Sequence, residues 1–373
     1  MRSSQGSSVG AAPFVTAATF TAPDLRSVSE GPIPNSVKSE TAKVRRNIAL
    51  DFTKGALVLI MVLYHWINYF IGPDWPWYFY LRFLTPSFIF VSGFIISNVY
   101  LKNYAKVDAA LVRRLLTRGM KLLGLFVVLN VIRTALLPKT SGSLVGPDMN
   151  FLQEVFVTGN VSTATGKLVA FYILIPISYL LILSATLLLP GRSFKYAFHF
   201  ACSGLLLAIA VLGMYGIRSY NLEFVAIGLL GTLIGFFPIA KINTSISHPI
   251  GLAVAYSCYL IAITLWNVPF VLLVPGTALS VMVIYFVGVK VDIAVRAIKH
   301  AVLLGKYSLW GYIAQIAILQ ILRVALRPVR SELIVLGLSF VSAFGLTSIT
   351  VELADKARQG SSRFDKVYRF VFA

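Results

Sequence analysis

The stretch Leu50–Trp66 reads LDFTKGALVLIMVLYHW and sets Asp51, Lys54 and His65 inside an otherwise apolar run. Lys54 and His65 are eleven residues apart. In a helix, eleven steps of about 100° return to within roughly 20° of the start, so the two side chains share one face, about 16 Å apart along the axis. Asp51, three residues before Lys54, lies on the same side within pairing reach. A charged side chain near the middle of a membrane helix costs roughly 2.5–3.5 kcal/mol on insertion scales, so such a stripe has either a partner or a task. Two readings follow. In one, Asp51 and Lys54 neutralise each other at the membrane surface while His65 makes an interfacial hydrogen bond beside Trp66. In the other, the imidazole, which exchanges a proton near neutral pH, does acid–base chemistry at membrane depth.

The rest of the chain must position this stripe. Of its 373 residues 57% are hydrophobic and 13% charged, and its mean hydropathy is +0.80; soluble chains carry about a quarter charged residues. The fold class expected is all-α, a polytopic integral membrane protein with about ten transmembrane helices. Apolar runs of spanning length fall near 48–71, 77–101, 119–138, 168–190, 195–216, 221–240, 249–267, 269–289, 307–326 and 332–352. Residues 1–46 form a Ser-, Ala-, Pro- and Thr-rich tail with a basic end, expected to be disordered; 47–353 form the membrane domain; 354–373 form a basic C-terminal tail.

The net charge of +19 comes from Lys and Arg clustered between apolar runs, where topology-setting charges belong, and does not point to nucleic acid. The basic connections alternate with poorly basic ones, which puts both termini in the cytoplasm. One connection, carrying Arg323, Arg327 and Arg330, breaks the alternation on the outer side. Cys202 and Cys258 lie in apolar segments without metal-ligand spacing, and no metal site is expected.

LDFTKGALVLIMVLYHW resembles the first-helix signature of the membrane acyltransferase-three family, and of its relatives that succinylate periplasmic glucans or N-acetylate heparan glucosamine. Leu50, Asp51, Gly55 and His65 match; Lys54 stands where the family has arginine. FIFVSGFIIS (Phe88–Ser97), VRRLLTRGMKLL (Val112–Leu123), FYILIP (Phe171–Pro176) and LGKYSLWGYIAQ (Leu304–Gln315) resemble further family motifs in the expected order. No glutamate lies near FYILIP here, and Gln315 replaces a histidine. The resemblance spans residues 45 to about 325.

The resemblance implies transfer of an acyl group, acetyl or succinyl, from cytoplasmic acyl-CoA to a hydroxyl of an extracytoplasmic polysaccharide or glycolipid. No permanently bound cofactor is implied. His65 would act as general base, since an imidazole with a pKa of about 6.5 can take the acceptor's proton as attack occurs. His199, His248 and His300 have structural settings. Lys54, Arg114, Arg118 and Lys121 would hold the anionic donor, although the last three serve the positive-inside bias equally well. Arg82, Gln315, Arg323 and Arg327 would face the acceptor, and Asp51 would orient Lys54. Arg133, Glu223 and Glu332 fall near the same outer side. Partners implied are acyl-CoA, the glycan acceptor, membrane lipid and a polysaccharide-synthesis complex. The competing readings are a transporter of a lipid-linked glycan or small anion, in which the stripe is a pathway, and a catalytically inactive relative.

Overall fold

The computed structural model describes residues 47–72, 74–101, 109–136, 149–160, 162–163, 166–167, 169–189, 196–246, 249–266, 270–292 and 294–372. The N-terminal tail, the PGRSFK turn and His248 lie outside these residues. Fourteen α-helices are found among the described residues: α1 (Ile48–Phe70), α2 (Leu84–Ile95), α3 (Ala109–Leu136), α4 (Met149–Leu152), α5 (Leu174–Leu188), α6 (Ala197–Met214), α7 (Tyr220–Ile234), α8 (Ile239–Ile246), α9 (Pro249–Leu265), α10 (Phe270–Lys290), α11 (Arg296–Lys306), α12 (Ser308–Ala325), α13 (Glu332–Gly360) and α14 (Ser362–Phe372). Short tighter or wider helical turns adjoin α2 and α4, and two-residue strands at Ser162–Thr163 and Gly166–Lys167 pair antiparallel.

The chain is an all-α polytopic membrane protein. Among the described residues seven helical stretches are long and apolar enough to cross a bilayer: α1, Tyr78–Leu101 around α2, α3, α6, Leu272–Lys290 of α10, α12 and α13. Three shorter apolar helices, α5, α7 and α9, coincide with the other expected spans. Contacts at the helix ends show how they run. Gly288 near the end of α10 lies against Ala49 and Phe52 at the start of α1. Arg118 of α3 donates to the Tyr100 hydroxyl at the end of the second span, and Tyr307 before α12 meets Tyr368 of α14. These residues mark a basic end. At the opposite end Tyr69 accepts from Gln320, Trp66 donates to Ser339 and Tyr80 bonds Thr264. The ten apolar helices thus alternate in direction, and α1 starts at the end where α14 lies.

Glycines decide two of the closest crossings. A Cβ on Gly55 would stand 1.8 Å from the Ala301 carbonyl oxygen, and one on Gly305 would stand 1.7 Å from the Asp51 carbonyl oxygen. Gly55 and Gly305 therefore let α1 and α11 touch backbone to backbone beside the Asp51–Lys54 pair. Gly93 of the SGF motif does the same for α2 against Gly228 of α7.

Three boundaries differ from the sequence expectation in ways that matter. Helix α3 begins at Ala109, ten residues before the expected span, so Arg113, Arg114 and Arg118 sit on the helix itself. Helix α5 begins at Leu174, so Val169–Ile173 are non-helical inside an expected span. Irregular backbone at membrane depth is tolerated where it is buried in protein or lines a cavity. Of the expected basic tail 354–373, the described residues up to Phe372 form the end of α13 and all of α14. Phe364, Tyr368 and Phe372 of α14 pack into a cluster with Tyr307 and Trp310, and Arg358 bonds Asp365.

Candidate active site

On α1, Met61, Tyr64, His65, Asn68 and Tyr69 recur at helical spacing and form one stripe. They face a cavity of about 140 Å³ toward the end of the bundle opposite the basic one, closed by Thr85, Arg133, Val169–Ile173, Tyr312 and Ile316. The Tyr64 ring stands edge-on to His65 at 5.2 Å, and Tyr312 lies 6.4 Å from the imidazole. Tyr64 also stacks on Tyr78 at 4.8 Å. An imidazole, a guanidinium, an amide and five aromatic side chains therefore share one hollow.

The non-helical wall Val169–Ile173 is pinned from two sides. The Asn130 side chain donates to the Ala170 carbonyl at 2.9 Å and accepts from the Ala170 N–H at 2.8 Å. Tyr172 donates to Asn221 at 2.7 Å, and the Asn221 amide donates to the carbonyls of Val155 and Phe156. Between these anchors Phe171 has φ +57° and is buried; it is the one non-glycine residue with positive φ among the described residues. A left-handed conformation costs a bulky residue about 1–2 kcal/mol, and such strain collects at ligand sites. Its ring meets Tyr312 edge-on at 6.4 Å.

The structure distributes the other expected site residues over several places. Lys54 and Asp51 pair at 2.7 Å, and the pair is largely buried against α11 rather than neutralised at an open surface. Removing one partner of such a pair costs about 3–5 kcal/mol, because the remaining charge stays buried. Arg114 and Arg118 gather over the Tyr100 ring, and Lys121 over Phe370 of α14. Those three form a basic, aromatic-backed group at the basic end. His300 contacts Glu352 at 3.2 Å, and His199 packs on Phe236.

Among the described residues the Lys or Arg lining the cavity is Arg133. Arg82 lies outside the lining but within electrostatic reach of Tyr64 and Tyr78. Arg323 stands over the Tyr69 ring at 5.9 Å, behind the cavity, and Arg327 is exposed beyond it. Both belong to the His65 end, away from Arg114 and Arg118. Gln315 is fully buried, outside the cavity lining, and neither of its amide atoms has a hydrogen-bond partner within the described residues.

Asn68, Asn130 and Asn221 belong to none of the sequence motifs. Asn68, three residues after His65, could have been found from helical periodicity. The asparagines on α3 and α7 carry no local signal, since their partners lie 40 and 49 residues away. Phe171 and Tyr172 lie in the motif FYILIP and Tyr312 in LGKYSLWGYIAQ, and all three line the cavity of His65.

Residues 46–143 match the family model described as heparan-alpha-glucosaminide N-acetyltransferase, catalytic. No curated protein and no solved structure matches the chain. The match takes in α1 to α3, hence Asp51, Lys54, His65, the basic group of α3 and Arg133. It supports the branch of the resemblance that N-acetylates glucosamine, not the acyltransferase-three family specifically. Over this quarter of its length the chain, an integral membrane protein, is similar to an acetyltransferase catalytic domain.

Proposed function

We propose that this protein moves an acetyl or similar short acyl group from cytoplasmic acyl-CoA to a hydroxyl or amine of a glycan or glycolipid on the far side of the cell membrane. The observation that carries the reading is the cavity lined by His65, Arg133 and an aromatic wall, of which the helices carrying His65 and Arg133 match an acetyltransferase catalytic domain. A ring-shaped, polar-edged acceptor suits such a hollow, because aromatic walls cover apolar faces while a few polar groups fix orientation. The charge rule assigns the basic end to the cytoplasm, where Arg114, Arg118 and Lys121 would meet the phosphates of CoA.

The chemistry balances with the residues named. As the acceptor oxygen or nitrogen attacks the thioester carbonyl, its proton passes to the His65 imidazole. The tetrahedral adduct collapses, the carbon–sulfur bond breaks, and the imidazolium returns the proton to the thiolate as CoA-SH leaves. Exclusion of water protects the acyl group from hydrolysis. Burial of the Asp51–Lys54 pair fixes a cation on the His65 face of α1, about two turns nearer the basic end than Met61 and about three turns from His65, on the donor's route.

The test is transfer of radiolabelled acetyl from acetyl-CoA by the purified full-length protein in nanodiscs, with glucosamine and methyl glucoside as acceptor probes. His65→Ala and His65→Gln should lose about 10²–10⁴-fold in rate with unchanged insertion and thermal unfolding. Product on glucosamine alone identifies an amine acceptor; product on both identifies hydroxyl transfer. A wild type that leaves acetyl-CoA untouched, or a His65→Ala variant at full rate, overturns the reading; the former outcome favours the transporter.

A further inference from the structure

We infer that Asn130 is a positioning residue of the acceptor pocket, holding Phe171 in its left-handed conformation so that the Phe171 ring forms a fixed wall opposite His65. This rests on the reading that the His65 cavity takes the acceptor. The argument starts from what an asparagine side chain can replace. Its amide carries a carbonyl acceptor and an NH2 group with two donors in one plane, and the acceptor with one of those donors makes the same pair that a neighbouring peptide unit offers in a sheet. Asn130 uses both on a single residue, bonding the Ala170 N–H at 2.8 Å and the Ala170 carbonyl at 2.9 Å. A further bond from its amide to the Phe126 carbonyl, 3.0 Å long and one turn back on α3, sets the orientation of the amide plane.

The next residue is the strained one. Phe171, at φ +57°, is buried, and its carbonyl accepts from Leu174 at the start of α5. On its other side Tyr172 is tied to Asn221. A buried left-handed phenylalanine persists only where the surroundings over-determine it. The Asn130 clamp before it and the Tyr172–Asn221 bond after it supply that determination. Asn130 also stands one turn before Arg133, so the same short piece of α3 fixes the cavity's cation relative to the aromatic wall. The chemical class of acceptor that gains most from a rigid wall of this kind is a pyranose, whose apolar ring face lies on Phe171 and Tyr312 while its polar rim meets His65 and Arg133.

Hydrogen exchange and kinetics on the full-length protein in nanodiscs test this, with acetyl-CoA as donor and glucosamine as acceptor probe. Asn130→Ala should speed exchange of the Ala170 amide at least tenfold and leave α5 unchanged. It should raise the KM for glucosamine at least tenfold without moving the KM for acetyl-CoA. Asn130→Asp keeps an acceptor for the Ala170 N–H but loses the donor, and should fall between. Phe171→Leu retains buried volume without the ring and should reproduce the glucosamine KM effect with normal exchange, which keeps the test open if Asn130→Ala fails to fold. Unchanged exchange in both Asn130 variants overturns the clamp. Equal rises in both KM values, or a glucosamine KM unaffected by Phe171→Leu, overturn the positioning role. A wild type that turns over no acetyl-CoA, combined with faster Ala170 exchange in Asn130→Ala, assigns the failure to the functional reading and reduces Asn130 to a structural anchor.

Discussion

Exchanging Gly305 for alanine puts a methyl carbon 1.7 Å from the Asp51 carbonyl oxygen and 3.0 Å from the Gly55 nitrogen, and both obstacles are backbone atoms. Neither can rotate away, so α1 and α11 must part on the order of 1.5 Å before ordinary carbon contact distances return. Overpacking of this kind costs about 1–3 kcal/mol, occasionally more. It is offset only by the roughly 0.5–1 kcal/mol that alanine gains over glycine in a helix. Gly55→Ala meets the Ala301 carbonyl at 1.8 Å and should behave alike. Gly337 and Gly204 provide internal controls, since nothing lies within 4 Å of a Cβ built at either. There the same exchange should be neutral or slightly stabilising.

Thermal unfolding followed by tryptophan fluorescence in nanodiscs should therefore rank Gly305→Ala and Gly55→Ala below Gly337→Ala by about 2–6 °C, because the alanine gain is common to all three and the difference is the overpacking cost of about 1–3 kcal/mol. Because Asp51 and Lys54 ride on the displaced turn, acetyl-CoA affinity should fall with stability. An unfolding temperature for Gly305→Ala equal to that of Gly337→Ala would refute the backbone contact and the account of how α11 seats the ion pair.

Other outcomes follow from the same geometry. Lys54→Arg should retain function and Lys54→Ala lose it; if the double variant Asp51→Asn with Lys54→Met transfers acetyl at the wild-type rate, Lys54 serves only to neutralise Asp51. Arg133→Gln should raise the KM for an anionic acceptor probe such as glucuronic acid more than that for glucosamine, and equal effects would remove the charge role. At the basic end, Arg358 and Arg369 hold the Asp365 carboxyl below its ordinary value of 3.8. A depressed carboxylate stabilises above its unfolded value and loses that contribution as pH falls through the folded one, so α14 docking should be constant from about pH 8 to pH 5 and weaken only below. Hydrogen exchange of α14 checks this, with Asp365→Asn showing at pH 7 the exchange that the wild type reaches only in acid.

The division between what was legible in the sequence and what required the fold follows from the range of the forces involved. Apolar runs of spanning length, the alternation of basic and non-basic connections, and the polar stripe of α1 are set within twenty residues or so. Membrane insertion depends on just such local sums, so the helices and their alternating direction could be read directly. The stripe itself was local too, since helical periodicity puts Lys54 and His65 on one face whatever surrounds them. Which neighbours face that stripe was a tertiary matter. Arg133, rather than Arg82, lines the cavity because the last turns of α3 are tied to the wall through Asn130 and Ala170, one turn before Arg133. The wall exists because Val169–Ile173 leave the helical path inside an apolar run, and no propensity in FYILIP announces that. Their backbone hydrogen bonds go to Asn130 and into α5, and a side-chain clamp 40 residues away is invisible to any local window. Gly55 and Gly305 show the same division: each is an ordinary helical glycine in sequence, and only the crossing of α1 with α11 leaves no space for a methyl group at either.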